Sequence, residues 1–200
     1  MHKRALKPYA YTARTTGWLL LITGLVAVLS IVFLLVFAVG FLGNIPVLYI
    51  FGGLNDLFGA LVAFLSAILA LTLFGAQRKE SLILSLVGLI AACIGAVIVI
   101  LDSGLGISGV SLGLPSRYDL HFGTFLIGIW LFILIFHSSK KGAWPKGITN
   151  LGLFSGLGLS ISMGLAGTPA VLLLSIPYPI WCIRLGRWIL TRQMENQKIQ

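Results

Sequence analysis

The sequence alternates between six long runs of apolar residues and short polar connections. A helix that crosses a membrane needs roughly 20 mostly apolar residues, and each run is close to that length or longer. A transmembrane barrel would instead show segments of about 10 residues that alternate between apolar and polar side chains. Because the runs are continuous, they predict helices. They cover residues 17–41, 55–74, 81–101, 121–136, 148–166 and 169–189.

Composition also favours a bundle of membrane-spanning helices. Of the 200 residues, 58% are hydrophobic and 10% are charged, and the mean hydropathy is +1.04. Soluble domains are about 45–50% apolar and about 25% charged, and a soluble fold of this size could not bury so much apolar surface. The first run is too long for a signal-peptide core of about 7–15 residues. We therefore predict an all-α integral membrane protein with one transmembrane domain over residues 1–200.

The basic residues predict how the bundle is oriented. The chain has 14 Lys and Arg residues against 5 Asp and Glu. In a six-helix topology every basic residue except Arg117 lies on the side that holds the two termini, so the positive-inside rule places both termini in the cytoplasm. The basic stretches are too short and too close to the spans to suggest nucleic-acid binding. The expected partner is the lipid bilayer, and the absence of N-x-S/T sites fits the plasma membrane of a bacterium.

Small residues predict how the helices pack. Helices in lipid associate where small side chains allow close approach. The second and third runs carry such residues at steps of three and four, on one helix face each. Their short connection predicts antiparallel neighbours, which pack against each other or share a partner along these faces. The fifth run has a ridge of small residues every four positions, suited to the first or sixth helix or another copy of the chain. These residues are Ala60, Ala63, Ala67, Gly88, Ala92 and Gly95, and, on the ridge, Gly152, Gly156, Ser160 and Gly164.

Three irregular features interrupt this pattern. Pro177 and Pro179 lack a backbone N–H, so the sixth helix is expected to kink or to leave carbonyl groups free at mid-depth. Such a kink serves packing alone or forms a gate or binding niche. Residues 42–54 predict an interfacial stretch or a helical extension. The glycine-rich segment 102–120 predicts an irregular cap on the outer side.

Ionisable residues gather at the outer ends of the runs. Charges at mid-bilayer are costly and usually functional, and their near absence argues against ion-coupled transport. If the second and third helices face each other, Asp56 and Asp102 reach similar depths, where two carboxylates could recruit a cation. Together with Asp119 and His121 they could form a metal or acid–base set. Alternatively, Arg117 pairs with one Asp, and the others cap helix ends or face water. The cluster comprises Asn55, Asp56, Asp102, Arg117, Asp119 and His121.

No catalytic motif or metal-ligand spacing is present in the sequence, which identifies no catalytic residue, metal site or cofactor. We therefore expect a non-catalytic polytopic protein, a subunit or accessory component that associates with other membrane subunits or with itself. Two alternatives stay open. One is a small permease or channel for a neutral or apolar solute, using the proline-broken helix, and a polar cavity would favour it. The other is a membrane enzyme with an outer-face carboxylate site, which a substrate or metal near Asp56 and Asp102 would favour.

Overall fold

The fold is a bundle of long helices. The computed structural model describes residues 7–78, 81–108, 119–140, 142, 144–165 and 170–198. Within those residues, six helical segments are long and apolar enough to cross a membrane, as predicted. The helices are α1 Lys7–Leu42, α2 Ile50–Gln77, α3 Leu82–Ser108, α4 Asp119–Lys140, α5 Lys146–Ile161, α6 Ala170–Ser175 and α7 Pro177–Lys198, with short 3-10 helices at Pro46–Tyr49 and Ser162–Leu165.

The helices close into a ring. Successive helices from α1 to α5 are neighbours, and α7 packs against both α5 and α1. The first and last helices therefore lie side by side, and every long helix has one face toward the interior. We call the end where α1 begins and α7 finishes the terminal end. The opposite end, where α1 and α3 finish and α2 and α4 begin, is the cavity end.

The third helix is longer than predicted. We expected an irregular segment from residue 102 onward, but α3 continues to Ser108, so that prediction was wrong for its first residues. Gly106 lies in this extension of α3, beside α2. A Cβ atom at Gly106 would lie 3.1 Å from Oδ2 of Asp56, so glycine leaves room for the carboxylate between α3 and α2. The remainder of the predicted cap, 109–118, lies outside the described residues.

The segment between α1 and α2 is largely helical. A helical extension is one of the two forms predicted for it. The chain turns after Leu42, and Asn44 adopts a positive φ of 53°. Asn tolerates that conformation better than most residues that carry a side chain. A 3-10 helix at Pro46–Tyr49 then leads directly into α2. The turn therefore reverses the chain in a few residues, which keeps α1 and α2 antiparallel neighbours.

Gly88 and Gly95 of α3 lie against α4. A Cβ atom at Gly95 would lie 2.5 Å from the carbonyl oxygen of Gly123. Gly88 lies against Trp130, which also belongs to α4. α2 and α3 are neighbours, as their short connection predicts, but these two glycines serve the other interface. Gly123 supplies a second small residue there, so the backbones of α3 and α4 come close together.

The ridge of small residues on α5 packs within the chain, mainly against α4. A Cβ atom at Gly156 would lie 2.9 Å from the backbone nitrogen of Phe132. From the other side, a Cβ atom at Gly128 would lie 2.7 Å from the backbone nitrogen of Ser160. Real Cβ atoms essentially never come within 3.0 Å of such atoms, so this crossing requires glycine. The predicted partners of the ridge did not include α4.

Helix α7 is held from two sides. On α5, a Cβ atom at Gly152 would lie 2.5 Å from Nε1 of Trp181, so that part of the ridge does contact the sixth span. On the side of α1, a Cβ atom at Gly186 of α7 would lie 2.8 Å from the carbonyl oxygen of Gly17 of α1. Among the described residues, Gly164, the last residue of the ridge, has nothing within 4 Å of its Cβ position and takes no part in these contacts.

The half of the bundle toward the terminal end is tightly packed. Its largest fully buried side chains come from α1, α2, α4 and α7, and each is at most 1% exposed. The outer surface of the ring is covered by exposed Leu, Ile, Val and Phe side chains. The interior of the terminal half is therefore closed, and a cavity lies in the other half. These buried side chains are Leu20, Leu69, Trp130, Leu131, Trp181 and Leu185.

Candidate functional site

A cavity of about 210 Å³ occupies the interior of the bundle in the half toward the cavity end. Every long helix of the ring contributes to its wall, together with α6 and the second 3-10 helix. On α2 the wall runs from Asn55 to Ser66, about 16 Å along the helix axis. An engineered cavity of roughly 150 Å³ holds benzene, so this one has room for a small organic solute.

The part of the cavity nearest the cavity end of the bundle is polar. The Ser30 hydroxyl donates a hydrogen bond to Oδ1 of Asn55 at 2.9 Å. The Asn55 amide in turn donates a long one, 3.4 Å, to Oδ1 of Asp56. His121 lines the same region from α4, and Asp102 is close enough to Asp56 and His121 to interact electrostatically with both. One carboxylate thus faces the cavity, and a second lies nearby.

The deep part of the cavity holds a pair of hydroxyl groups. The oxygens of Ser66 and Tyr178 are 2.7 Å apart. Either hydroxyl can be the donor between the two; we assign that role to Tyr178, because the single Ser66 hydrogen can then go to the carbonyl of Val62 at 2.7 Å. In this arrangement both hydrogens are used within the protein. What the pair offers to a solute is therefore acceptor capacity on the two oxygens.

The wall between these polar ends is mainly apolar, although Ser103, Thr124, Ser162 and Ser175 also contribute to it. Small-molecule sites are commonly apolar with a few placed polar groups, which fix the orientation of the ligand. The cavity has this character, with a carboxylate at one end and hydroxyl oxygens at the other. Its apolar wall includes Ala27, Ile31, Val62, Ala63, Val99, Ile127 and Leu159.

The sixth span is interrupted beside the cavity, where its two prolines are found. α6 ends at Ser175 and α7 begins at Pro177. Proline is favoured in the first helical turn because its missing N–H would have no partner there. Pro179 cannot donate to the carbonyl of Ser175, and Ser175, Tyr178 and Pro179 all line the cavity. The interruption therefore shapes the wall of the cavity as well as the packing of the bundle.

Four members of the predicted outer cluster come together in the structure. Asn55, Asp56 and His121 line the cavity, and Asp102 lies beside them. Arg117 lies outside the described residues, and Asp119 begins α4 with a side chain that is likewise not described. Among the described residues, no three or more His, Cys, Asp or Glu side chains are placed to hold a metal ion.

Sequence reasoning missed the deep end of the cavity. The signal was present on α2, where Asp56, Gly59, Ala63 and Ser66 follow one another at steps of three and four and so share one helix face. All four line the cavity. Tyr178 stands between two prolines in the sequence, but nothing in the pattern of the chain pairs it with Ser66.

The hydroxyl pair predicts an asymmetry between two substitutions. Tyr178→Phe leaves Ser66 bonded to the Val62 carbonyl, so we expect a loss of about 1 kcal/mol in the free energy of unfolding. Ser66→Ala leaves the buried Tyr178 hydroxyl with the weak sulfur acceptor of Cys182 as its remaining side-chain partner among the described residues, so we expect a loss of about 2 kcal/mol. Unfolding of both variants in mixed micelles measures the difference. The reverse order would contradict the assigned donor.

Comparison with known proteins adds no functional information. No protein-family model, curated protein or solved structure matches the chain. The inference of function therefore starts from the cavity, its two polar ends and its place in the bundle.

Proposed function

We propose that the protein is an integral membrane protein that binds a small solute with an apolar body in the central cavity and acts as a permease for it. The observation that carries this proposal is the cavity itself, lined by every long helix and closed toward the terminal end. The six apolar helices and the apolar outer surface support residence in a bilayer. The distribution of basic residues supports cytoplasmic termini, with the cavity then facing the outside of a bacterial plasma membrane.

Two features support a permease over a simple receptor. Many carriers hold their substrate between helices with access from one side at a time, and their sites commonly use discontinuous helices. Here the interruption between α6 and α7 lies on the cavity wall. The packed terminal half, with Leu20 and Leu185 fully buried, matches the closed side of such a state.

The other two functions predicted from the sequence have less support. A subunit of a larger assembly stays a prediction, but a purely structural subunit has no need of a cavity, because protein interiors otherwise pack at the density of organic crystals. The approach of Asp102 to Asp56 is the one observation that supports a membrane enzyme. We therefore rank the permease first.

Filling the cavity is expected to abolish transport. Ala63 lies on its wall and is 2% exposed, so Ala63→Phe places a ring in the space that a solute would occupy. We expect uptake into proteoliposomes to fall to the rate of protein-free liposomes for every solute that the wild-type protein transports. A panel of benzylamine, benzyl alcohol and benzoate, each radiolabelled, measures that rate.

The matched control is Leu61→Phe. It adds a ring to the same helix on the outer surface, where Leu61 is exposed, and we expect transport to stay within about twofold of wild type because lipid accommodates the change. Wild-type protein that moves none of these solutes faster than protein-free liposomes would overturn the proposed function. So would an Ala63→Phe variant as active as wild type.

A further inference from the structure

The charged groups that line the cavity select the kind of solute that it can hold. Among the described lining residues there is no Lys or Arg, while Asp56 lines the cavity and Asp102 lies near it. Two nearby carboxylates repel each other and an anionic solute, and a cation placed between them relieves that repulsion. His121 is the one other titratable side chain among the described lining residues at this end. The two carboxylates therefore disfavour an anionic solute and favour a positive charge beside Asp56.

Asp56 also has unused capacity to accept hydrogen bonds. Within the described part of the chain its one hydrogen bond is the long one from Asn55, 3.4 Å to Oδ1. An ionised carboxylate offers about four acceptor sites on its two oxygens. Its Oδ2 lies over Gly106, which has no side chain to cover it. An ammonium group brings several N–H donors and a positive charge opposite to that of the carboxylate, so it suits Asp56 better than a hydroxyl group does.

The remainder of the cavity suits an apolar body attached to that ammonium group. Its wall is mainly apolar down to the hydroxyl oxygens of Ser66 and Tyr178, with a few further hydroxyl groups among the apolar side chains. A neutral solute of this kind partitions into lipid without assistance, because transfer of apolar surface out of water is favourable. An organic cation does not, because a charge at the bilayer centre is costly. A permease is thus most useful for the cationic solute that this cavity fits.

On the basis of the proposed function, we infer that the solute is a small organic ammonium ion whose charged nitrogen binds Asp56 at the outer end of the cavity, with its apolar body between α1, α2 and α4. Asp102 adds to the negative potential without lining the cavity itself. Asp56 is then the residue that determines specificity for charge.

The test is equilibrium binding of three probes of similar size and different charge to the full chain in lipid nanodiscs. The probes are benzylamine, a cation at mildly alkaline pH, benzyl alcohol, which is neutral, and benzoate, an anion. Empty nanodiscs give the background from partitioning into lipid. We expect benzylamine to bind at least about tenfold more tightly than benzyl alcohol, the scale of one charge-assisted interaction, and benzoate more weakly than either.

Two variants locate the charge that is responsible. Asp56→Asn keeps the shape of the side chain, and we expect it to lower the affinity for benzylamine at least about tenfold while benzyl alcohol stays within about twofold. Retained binding of benzyl alcohol also reports that the variant is folded. Asp102→Asn is the matched control, because Asp102 does not line the cavity, and we expect a smaller loss for benzylamine.

Each other outcome has a distinct meaning. Equal binding of benzylamine and benzyl alcohol to the wild-type protein, or preferred binding of benzoate, overturns the inference and leaves the permease proposal standing. Unchanged binding of benzylamine by a folded Asp56→Asn variant also overturns the inference. That is the result expected if Arg117 already neutralises this carboxylate. Failure of all three probes to bind overturns the proposed function. If Asp56→Asn does not fold, the comparison of the three probes on the wild-type protein still decides.

Discussion

Trp181→Ala is expected to lower the free energy of unfolding by about 3–5 kcal/mol, the range for truncation of a buried aromatic side chain. Trp181 is fully buried. Its ring lies 6.3 Å from that of Tyr178 and 6.1 Å from that of Trp144, measured between centroids. Truncation opens a void where α5 and α7 meet, next to the floor of the cavity. Equilibrium unfolding in mixed micelles measures the loss.

Two further variants make this prediction specific. Trp18 is 53% exposed on the outer surface, so Trp18→Ala is expected to cost less than about 1 kcal/mol. Nε1 of Trp181 has no hydrogen-bond partner among the described residues, so Trp181→Phe keeps most of the packing and loses no hydrogen bond. We expect it to cost less than Trp181→Ala, because Phe leaves a smaller void. A Trp181→Ala variant no less stable than Trp18→Ala would contradict the packing described for α7.

Gly128→Ala is expected to destabilise the protein by about 1–3 kcal/mol, the usual cost of overpacking. The added Cβ atom would lie 2.7 Å from both the backbone nitrogen and the Oγ of Ser160, and 2.8 Å from the carbonyl oxygen of Gly156. Backbone atoms cannot move aside as a flexible side chain can, so α4 and α5 must separate. The shift in the midpoint of unfolding, measured in the same micelles, reports the cost.

Gly164→Ala is the matched control for this crossing. Gly164 belongs to the same ridge in the sequence, but no atom of the described residues lies within 4 Å of its Cβ position. We expect its substitution to change stability by less than about 0.5 kcal/mol. If Gly164→Ala is as costly as Gly128→Ala, the ridge contacts something other than α4, such as a second copy of the chain, and the intramolecular packing would need revision.

The sequence predicted the number and nature of the helices because the apolar runs are long and continuous. It predicted less well where they end. Residues 102–108 read as a loop because of their polar and glycine content, yet they form the last turns of α3. The absence of a side chain at Gly106 leaves room for the approach of Asp56. That contact joins residues distant in the chain, so no local pattern of the sequence predicts it.

Which helices touch was only partly readable from the small residues. A glycine marks a close approach without naming the partner, and the predicted seams omitted the glycines that complete each contact. Gly123 completes the contact with Gly95, and Gly186 completes the one with Gly17. The closure of the ring between α1 and α7 lies between the two ends of the chain, where neither connection length nor periodicity gives information.

One end of the candidate site was predicted and the other was not, because the missed end is likewise formed by residues distant in the chain. The outer carboxylates stood out because charged residues are rare in this chain and costly in lipid. The deep hydroxyl pair did not, since Ser and Tyr occur throughout the sequence. Only the packing of α7 against the ring brings Tyr178 to Ser66. A cavity whose wall comes from every long helix is a property of the assembled bundle.

The most direct test of a water-filled cavity open to the outside is cysteine labelling in intact cells. In a background with Cys93→Ala and Cys182→Ala, Ser30→Cys places a thiol on the cavity wall, and Val28→Cys places one on the exposed outer face of the same helix. Thiol reagents attack the thiolate, which forms in water and is suppressed in apolar surroundings.

A small membrane-impermeant cationic reagent, added outside the cells, is predicted to label Ser30→Cys and not Val28→Cys. An excess of benzylamine is predicted to slow that labelling. If Ser30→Cys reacts only after the cells are opened, or if neither position reacts from either side, the outward-facing solute cavity is contradicted.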